Sequence, residues 1–131
     1  VDIDELWDMA DCAPPDMDVV QTYDDYPVIS AMQIEDLGFC DKGSAASFLR
    51  NKDMTVQGDF PHNTSGGQLS AGQAGAAGGF IGMVEAIRQV TGRAGPTQVS
   101  GATSALVSGF GMINYDRGLC SGAAVITGKA R

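Results

Sequence analysis

The side chains that could do chemistry in this sequence fall into three groups. The first is Tyr23-Asp24-Asp25-Tyr26, two phenols flanking two carboxylates in a stretch that ends at Pro27. A tyrosine is a hydrogen-bond donor with a pKa of about 10, so Tyr23 serves as acid or base near neutrality only where its surroundings lower that value. Asp25 is a candidate carboxylate base, or the group that eases proton transfer at Tyr23. Taken alone, the same four residues also describe a Pro-ended surface turn with solvated acids.

The second group is the run from His62 to Phe80, dense in glycine, alanine and serine. Such a run entering a helix brings free backbone N–H groups close to a ligand and favours an anion or oxyanion there. Gly66, Gly67 and Gly72 are the candidate positions for that approach. The run lacks the Gly-Lys-Ser/Thr ending of a nucleotide-binding P-loop, and small residues serve equally to seat a helix on a sheet. His62 is the one histidine, with an ordinary pKa near neutrality that suits a base. Beside Pro61 it reads as well as a packing or hydrogen-bonding residue. Asn63 and Ser65 are expected to brace the loop or to hydrogen-bond a substrate carbonyl. The third group is Tyr115-Asp116 in Asn-Tyr-Asp-Arg-Gly, equally a hairpin turn with Arg117 in solvent.

The cysteines add no obvious chemistry. Cys12, Cys40 and Cys120 are odd in number and widely spaced, with no Cys-x-x-Cys and no Cys/His cluster. Neither a metal site nor a disulfide scaffold is expected, and a reducing cytoplasmic compartment is the default. Cys12 and Cys40 are expected to pack as small hydrophobes, as are Met32, Met83 and Met112.

Elements must position these groups. Residues 2–10 place Ile3, Leu6, Trp7 and Ala10 on one helical face, with Asp2 or Asp4 as cap and a stop at Ala13-Pro14-Pro15. Val19-Val20 predicts a short strand before the Tyr-Asp-Asp-Tyr-Pro turn. Residues 28–39 predict a helix ending at Gly38, with Ile29, Met32, Gln33 and Leu37 on its stripe. Ser44–Arg50 predicts a brief helix capped by Ser44, and 52–61 a polar loop. After the glycine run, Phe80, Met83, Val84, Ile87 and Val90 follow helical spacing up to a stop at Gly92. Gln98–Ile113 and Leu119–Thr127 predict two buried strands. The order fits an α/β layer around one dominant sheet.

The chain has 131 residues and a net charge of −8, enough for one domain with a sizeable core. Residues 1–59 carry 14 of the 16 acids, and 16 of the 18 glycines lie after residue 57. An acidic solvated flank followed by a closely packed half explains that skew, and so does an acid-poor half that meets a ligand. The acid excess argues against a nucleic-acid backbone partner. No run reaches the roughly 18–20 apolar residues of a membrane helix, and no signal segment opens the chain. The first residue is Val1 rather than Met, as expected of a piece of something longer.

Asn63–Gly79 resembles the C-terminal loop of the thiolase superfamily, where an Asn…Gly-Gly run leads into Gly-His-Pro-x-Gly-Ala. Val19–Cys40 resembles the His-Asp-Cys-Phe segment of the sterol-carrier-protein type, down to a Leu-Gly-x-Cys-like turn at Leu37-Gly38-Phe39-Cys40. Residues 114–127 are similar to the family's last strand pair, and the likeness covers about 2–128. It implies an α/β fold of two βαβαβαββ halves, each a mixed sheet with helices on both faces, with 1–131 as the second half. It also implies an acyl-CoA thioester substrate, no cofactor held by this chain, and a nucleophilic cysteine on the other half. This chain alone is then expected to be silent.

The departures carry information. The family's Gly-His-Pro histidine is Gln73 here, an amide that can donate a hydrogen bond to a thioester oxygen but cannot titrate. Tyr23 replaces the histidine of His-Asp-Cys-Phe and Asp25 its cysteine. Lipid-transfer-protein-type aldolases of steroid side-chain breakdown, a thiolase-like branch, carry Tyr at the place of Tyr23 and also at that of Gln73, so the match is half complete. The resemblance therefore implies Claisen or retro-aldol chemistry with Tyr23, Asp25 and Gln73 as catalytic residues. It places Tyr115 beside the substrate pocket. A non-catalytic lipid or acyl-CoA binding or scaffold subunit is the alternative. It further implies the N-terminal half as partner, a small OB-fold zinc-bearing partner protein, and a homodimer of the full protein.

Overall fold

A computed structural model describes residues 3–73, 78–112 and 119–128. Helix α1 spans Ile3–Ala10 and buries Leu6 and Trp7. It ends at Asp11, which takes a left-handed φ of 50°, so the stop comes before the two prolines. Strand β1 is Val19–Gln21. Helix α2, Pro27–Asp36, opens on its proline and ends at Leu37. Helix α3 is Ala45–Asn51, α4 is Gly67–Ala71 and α5 is Phe80–Val90. Strands β2, Ser104–Met112, and β3, Leu119–Thr127, close the chain.

The sheet is mixed, in the order β1-β2-β3. β1 pairs parallel to β2 with Gln21 opposite Val107, and β2 pairs antiparallel to β3. Alternation along the strands sorts two apolar clusters to opposite faces. Val20 and Leu106 meet Leu6, Trp7, Ile34, Leu37 and Phe60 under α1 and α2. Val19, Ala105 and Val107 meet Ala86 and Val90 of α5. The expected sheet with helices on both faces is present. Three strands of the βαβαβαββ half lie among the described residues, with Val20 and His62 forming one further parallel bridge.

Several local expectations are corrected. β2 begins at Ser104 rather than Gln98, because Gly95–Thr97 form a short 3-10 turn. The Gln98 side chain spans that turn, accepting from Ala94 N–H and donating to Gln89 O. Asp18 then fixes the strand's start: its Oδ2 accepts from Thr103 N–H at 2.8 Å and from Ser104 N–H at 3.0 Å. Burial pushes that carboxyl up, yet the bonds from Thr103 and Ser104 outweigh it and hold Asp18 below its ordinary value. Ser44 makes no side-chain cap on α3. Glu35 Oε1 takes the Ala45 N–H instead, at 2.8 Å. On α2 the buried residues are Ser30, Gln33 and Ile34, while Met32 is exposed and fills no core. Cys12 and Cys40 do pack against the first cluster, and burial pushes both thiols up. The side chains of Met112 and Cys120 lie outside the described residues.

The largest correction concerns α5. Its buried residues are Glu85, Ala86, Gln89 and Val90, whereas Phe80, Val84 and Ile87 are 63%, 55% and 46% exposed. Only Val90 and the partly buried Met83 of the expected stripe turn to the sheet. The helix approaches closely at Gly82, where a Cβ would meet Gln21 Cβ at 3.3 Å. The face that packs inward thus mixes Glu85 and Gln89 with Ala86 and Val90, and Phe80, Val84 and Ile87 are left exposed.

Candidate functional site

The chain leaving β1 is held almost entirely by side chains. Thr22 N–H donates to Asn63 Oδ1 at 2.9 Å, and Asn63 N–H returns to Val20 O at 3.0 Å. Asn63 takes a left-handed φ of 45° to do so. It also accepts from Gly66 N–H at 2.7 Å through its carbonyl, so this residue braces the loop. Asp24, largely buried, accepts from Gln68 N–H at 2.7 Å and lies against Gly67. Gly66, Gly67 and Gly72 all have positive φ, which is how the loop folds back on Asp24 before releasing Gln73.

That geometry brings the two expected motifs together. Gln73 Nε2 donates to Tyr23 Oη at 3.1 Å across fifty residues of sequence. The Asp25 carboxylate acts on the same phenol and favours its protonated form. The result is an amide bonded to a phenol that a carboxylate also influences, open to solvent at Gln73. Burial raises the Tyr23 pKa above 10, and Asp25 adds to the rise; the bond from Gln73 opposes them without cancelling them. The condition for Tyr23 as a neutral-pH base is not met. The phenol keeps its proton and is a donor.

His62 is placed elsewhere. Its Nε2 lies 2.7 Å from Thr22 Oγ1 and 3.3 Å from Ser30 Oγ, and its ring stacks on Phe60. Burial lowers its pKa to about 4, against a smaller opposing pull from Asp24. A neutral imidazole tied to two hydroxyls is a packing and hydrogen-bonding residue, the second of its two sequence readings. Since the unfolded histidine titrates near 6.5, only the unfolded chain gains this proton between pH 6.5 and 4. Stability should therefore fall by about 3 kcal/mol as pH drops through that window. An imidazole NMR titration with a midpoint near 4 checks this; a midpoint near 6.5 contradicts it.

Below the loop lies a polar cluster that the sequence did not mark. Thr64 Oγ1 donates to Glu85 Oε1 at 2.8 Å and accepts from Gln21 Nε2 at 3.0 Å. Gln89 Nε2 also reaches Glu85 Oε1, at 2.9 Å, and Arg88 pairs with Glu85 Oε2 at 3.2 Å. Glu85, Gln89, Thr64 and Gln21 are all buried, so α5 grips β1 and the loop through satisfied polar groups. Ser65 Oγ and Gln68 Oε1 are buried with no hydrogen-bond partner among the described residues. A separate groove of about 470 Å³ runs between α2 and the β2–β3 hairpin, past Gln33, Leu37, Ser108 and Phe110. Tyr115 and Asp116 lie outside the described residues. Among the described residues, no cluster of His, Cys, Asp or Glu could hold a metal. No described helix is long and apolar enough to cross a membrane.

Comparison with known proteins agrees with this fold. A family model described as thiolase C-terminal domain-like matches residues 4–120. An acetyl-CoA acetyltransferase of Methanothermobacter thermautotrophicus is 33% identical over 103 residues, which is 79% of this chain and 27% of that protein. The 17-hydroxy-3-oxo-4-pregnene-20-carboxyl-CoA lyase of Mycobacterium tuberculosis is 38% identical over 88 residues, 67% of this chain and 22% of the lyase. The solved structure of an Ltp2-ChsH2(DUF35) aldolase superposes with a TM-score of 0.76 at 30% identity, covering 95% of this chain and 30% of that one. The chain thus spans about a quarter of the length of the curated relatives it matches.

Proposed function

The chain belongs to the thiolase C-terminal domain-like family, and from that premise we propose that it is one wall of an enzyme acting on acyl-CoA thioesters, with retro-aldol cleavage as its chemistry. The observation that carries the proposal is the Gln73–Tyr23 hydrogen bond, with the Asp25 carboxylate holding the phenol in its protonated form. In retro-aldol cleavage the Cα–Cβ bond of a β-hydroxyacyl thioester breaks, leaving a carbonyl compound and a thioester enolate. A phenol that holds its proton is matched to protonating that enolate carbon. Asp25, whose carboxylate acts on the phenol, takes the proton lost by the substrate hydroxyl and then returns it to the phenol. Gln73 is the donor for the developing enolate oxygen, and the Ser65 hydroxyl, buried without a partner among the described residues, is the second. The relative named as a lyase of a hydroxylated carboxyl-CoA supports this direction.

The exposed Phe80-Val84-Ile87 stripe supports a composite site, because such a face in water is a cost that a covering layer removes. The N-terminal half is the cover we propose. A homodimer and a small OB-fold zinc-bearing partner rest on the family resemblance. The substrate is a coenzyme A thioester, and this chain binds no cofactor of its own. Acyl-CoA or lipid binding without turnover is the second reading, favoured by one observation: the residue bonded to Tyr23 is an amide that cannot titrate.

The test uses the full-length protein with a β-hydroxyacyl-CoA in one assay and a β-ketoacyl-CoA plus free CoA in another. Release of a carbonyl product from the first, with thiolysis at background in the second, is the expected result. Thiolysis as the faster reaction overturns the retro-aldol assignment. Binding of both without cleavage establishes the second reading.

A further inference from the structure

Gln33 is 3% exposed and has every hydrogen-bonding position of its carboxamide filled. Its Oε1 accepts from Tyr23 N–H at 3.1 Å and from Ser108 Oγ at 2.7 Å. Its Nε2 donates to Tyr23 O at 2.7 Å and to Ile29 O at 3.0 Å. One side chain thus satisfies both backbone groups of Tyr23, two residues beyond the point where β1 stops pairing with β2. It stands where a neighbouring strand would stand, and Ser108 anchors it to β2. Two of the four bonds close on the main chain of the proposed proton donor, and the other two tie the carboxamide to Ile29 and Ser108.

We infer that Gln33 is a positioning residue for Tyr23, fixing the main chain beneath the phenol so that Oη meets Gln73 and Asp25 together. The inference rests on the reading of Tyr23 as the proton donor. A rigid support matters here because a shift of about 1 Å in a reacting group costs on the order of a hundredfold in rate. Tyr23 is the only residue joined both to the carboxamide of Gln33 and to that of Gln73 among the described contacts.

The experiment compares Gln33→Leu, Tyr23→Phe and the double variant in the full-length protein. Leu keeps the approximate volume and removes all four bonds. Gln33→Leu is expected to lower kcat about 10- to 100-fold with KM within about threefold. The double variant is expected to be no slower than Tyr23→Phe alone, since a residue acting through another adds nothing once that one is gone. A ¹³Cζ NMR titration should show the Tyr23 phenol returning toward 10 in Gln33→Leu as the ring loosens into solvent. Ser108→Ala, which removes one of the four bonds, should show smaller changes of the same kind and serves if Gln33→Leu fails to fold. Unchanged kcat with a lowered melting temperature overturns the inference, as does a double variant whose losses multiply. Wild-type turnover in Tyr23→Phe overturns instead the reading of Tyr23, and an unmoved titration then overturns Gln33's hold on the ring as well.

Discussion

Replacing Tyr23 by Phe in the full-length protein is expected to cut kcat by roughly 10²- to 10⁴-fold, the range for loss of a positioned acid or base. The change removes one oxygen and leaves the ring. Gln73 Nε2 loses its acceptor at 3.1 Å and Asp25 loses the phenol it acts on. Both are near the surface and can turn to water, so stability should change little while proton transfer stops. The pH profile adds a second check with a definite sign. Burial and Asp25 raise the phenol's pKa above its ordinary 10, so the protonated donor persists through neutral and mildly alkaline pH. Activity that depends on it should decline only above pH 10. Turnover within about twofold of wild type in Tyr23→Phe, or an alkaline limb centred near pH 8 that vanishes in the variant, sinks the assignment.

Much of the arrangement behind that experiment is legible in residue order, and the illegible parts have physical causes. Val19-Val20, the Tyr-Asp-Asp-Tyr-Pro turn and the pattern over 28–39 predict a strand, a turn and a helix, and these are β1 and α2, with the helix beginning one residue earlier, on Pro27. The Gly-Gly…Gly-Gln run and this turn meet at Tyr23 and Gln73. The face of α5 could not be read in the same way. Periodicity assigns the apolar side of a helix to its own domain's core, but here Glu85 and Gln89 turn inward to Thr64 and Gln21. Phe80, Val84 and Ile87 are left facing outward. A stripe pattern reports that a face needs a partner, not which chain segment supplies one.

His62 and Gln33 illustrate a second limit. A histidine's ordinary pKa suggests a base, and only its enclosure beside Thr22 and Ser30 shows a neutral ring held near pKa 4. Gln33 was visible only as a polar residue on an apolar stripe. What makes it matter is contact with Tyr23, ten residues back, and Ser108, seventy-five ahead. Side-chain bonds of that reach have no sequence periodicity. The quartet offered Tyr23 and Asp25 as chemistry, yet Asp24 between them does the structural work, pointing inward to the α4 backbone.

Asp24 leads to the second large effect, Gly67→Ala. Gly67 sits at φ +64°, and a Cβ there would lie 2.0 Å from Asp24 Oδ2 and 2.6 Å from its Cγ. An L-residue in that left-handed conformation costs about 1–2 kcal/mol. The carboxylate must also move, and with it goes the 2.7 Å bond from Gln68 N–H, a charge-assisted bond worth about 1.5–3 kcal/mol. Destabilisation of about 3–5 kcal/mol in denaturant unfolding is expected, a large share of a typical domain's stability. Gly101→Ala separates the two contributions: its φ is +73° with nothing within 4 Å of the new Cβ, so it should show the backbone part alone. In an Asp24→Ala background the obstructing carboxylate is already gone, and Gly67→Ala should then cost no more than Gly101→Ala. Equal losses for Gly67→Ala with and without Asp24 would show that the carboxylate is not what the glycine makes room for. Otherwise the glycine exists to let a buried acid reach the α4 backbone, one residue from the tyrosine whose phenol meets Gln73.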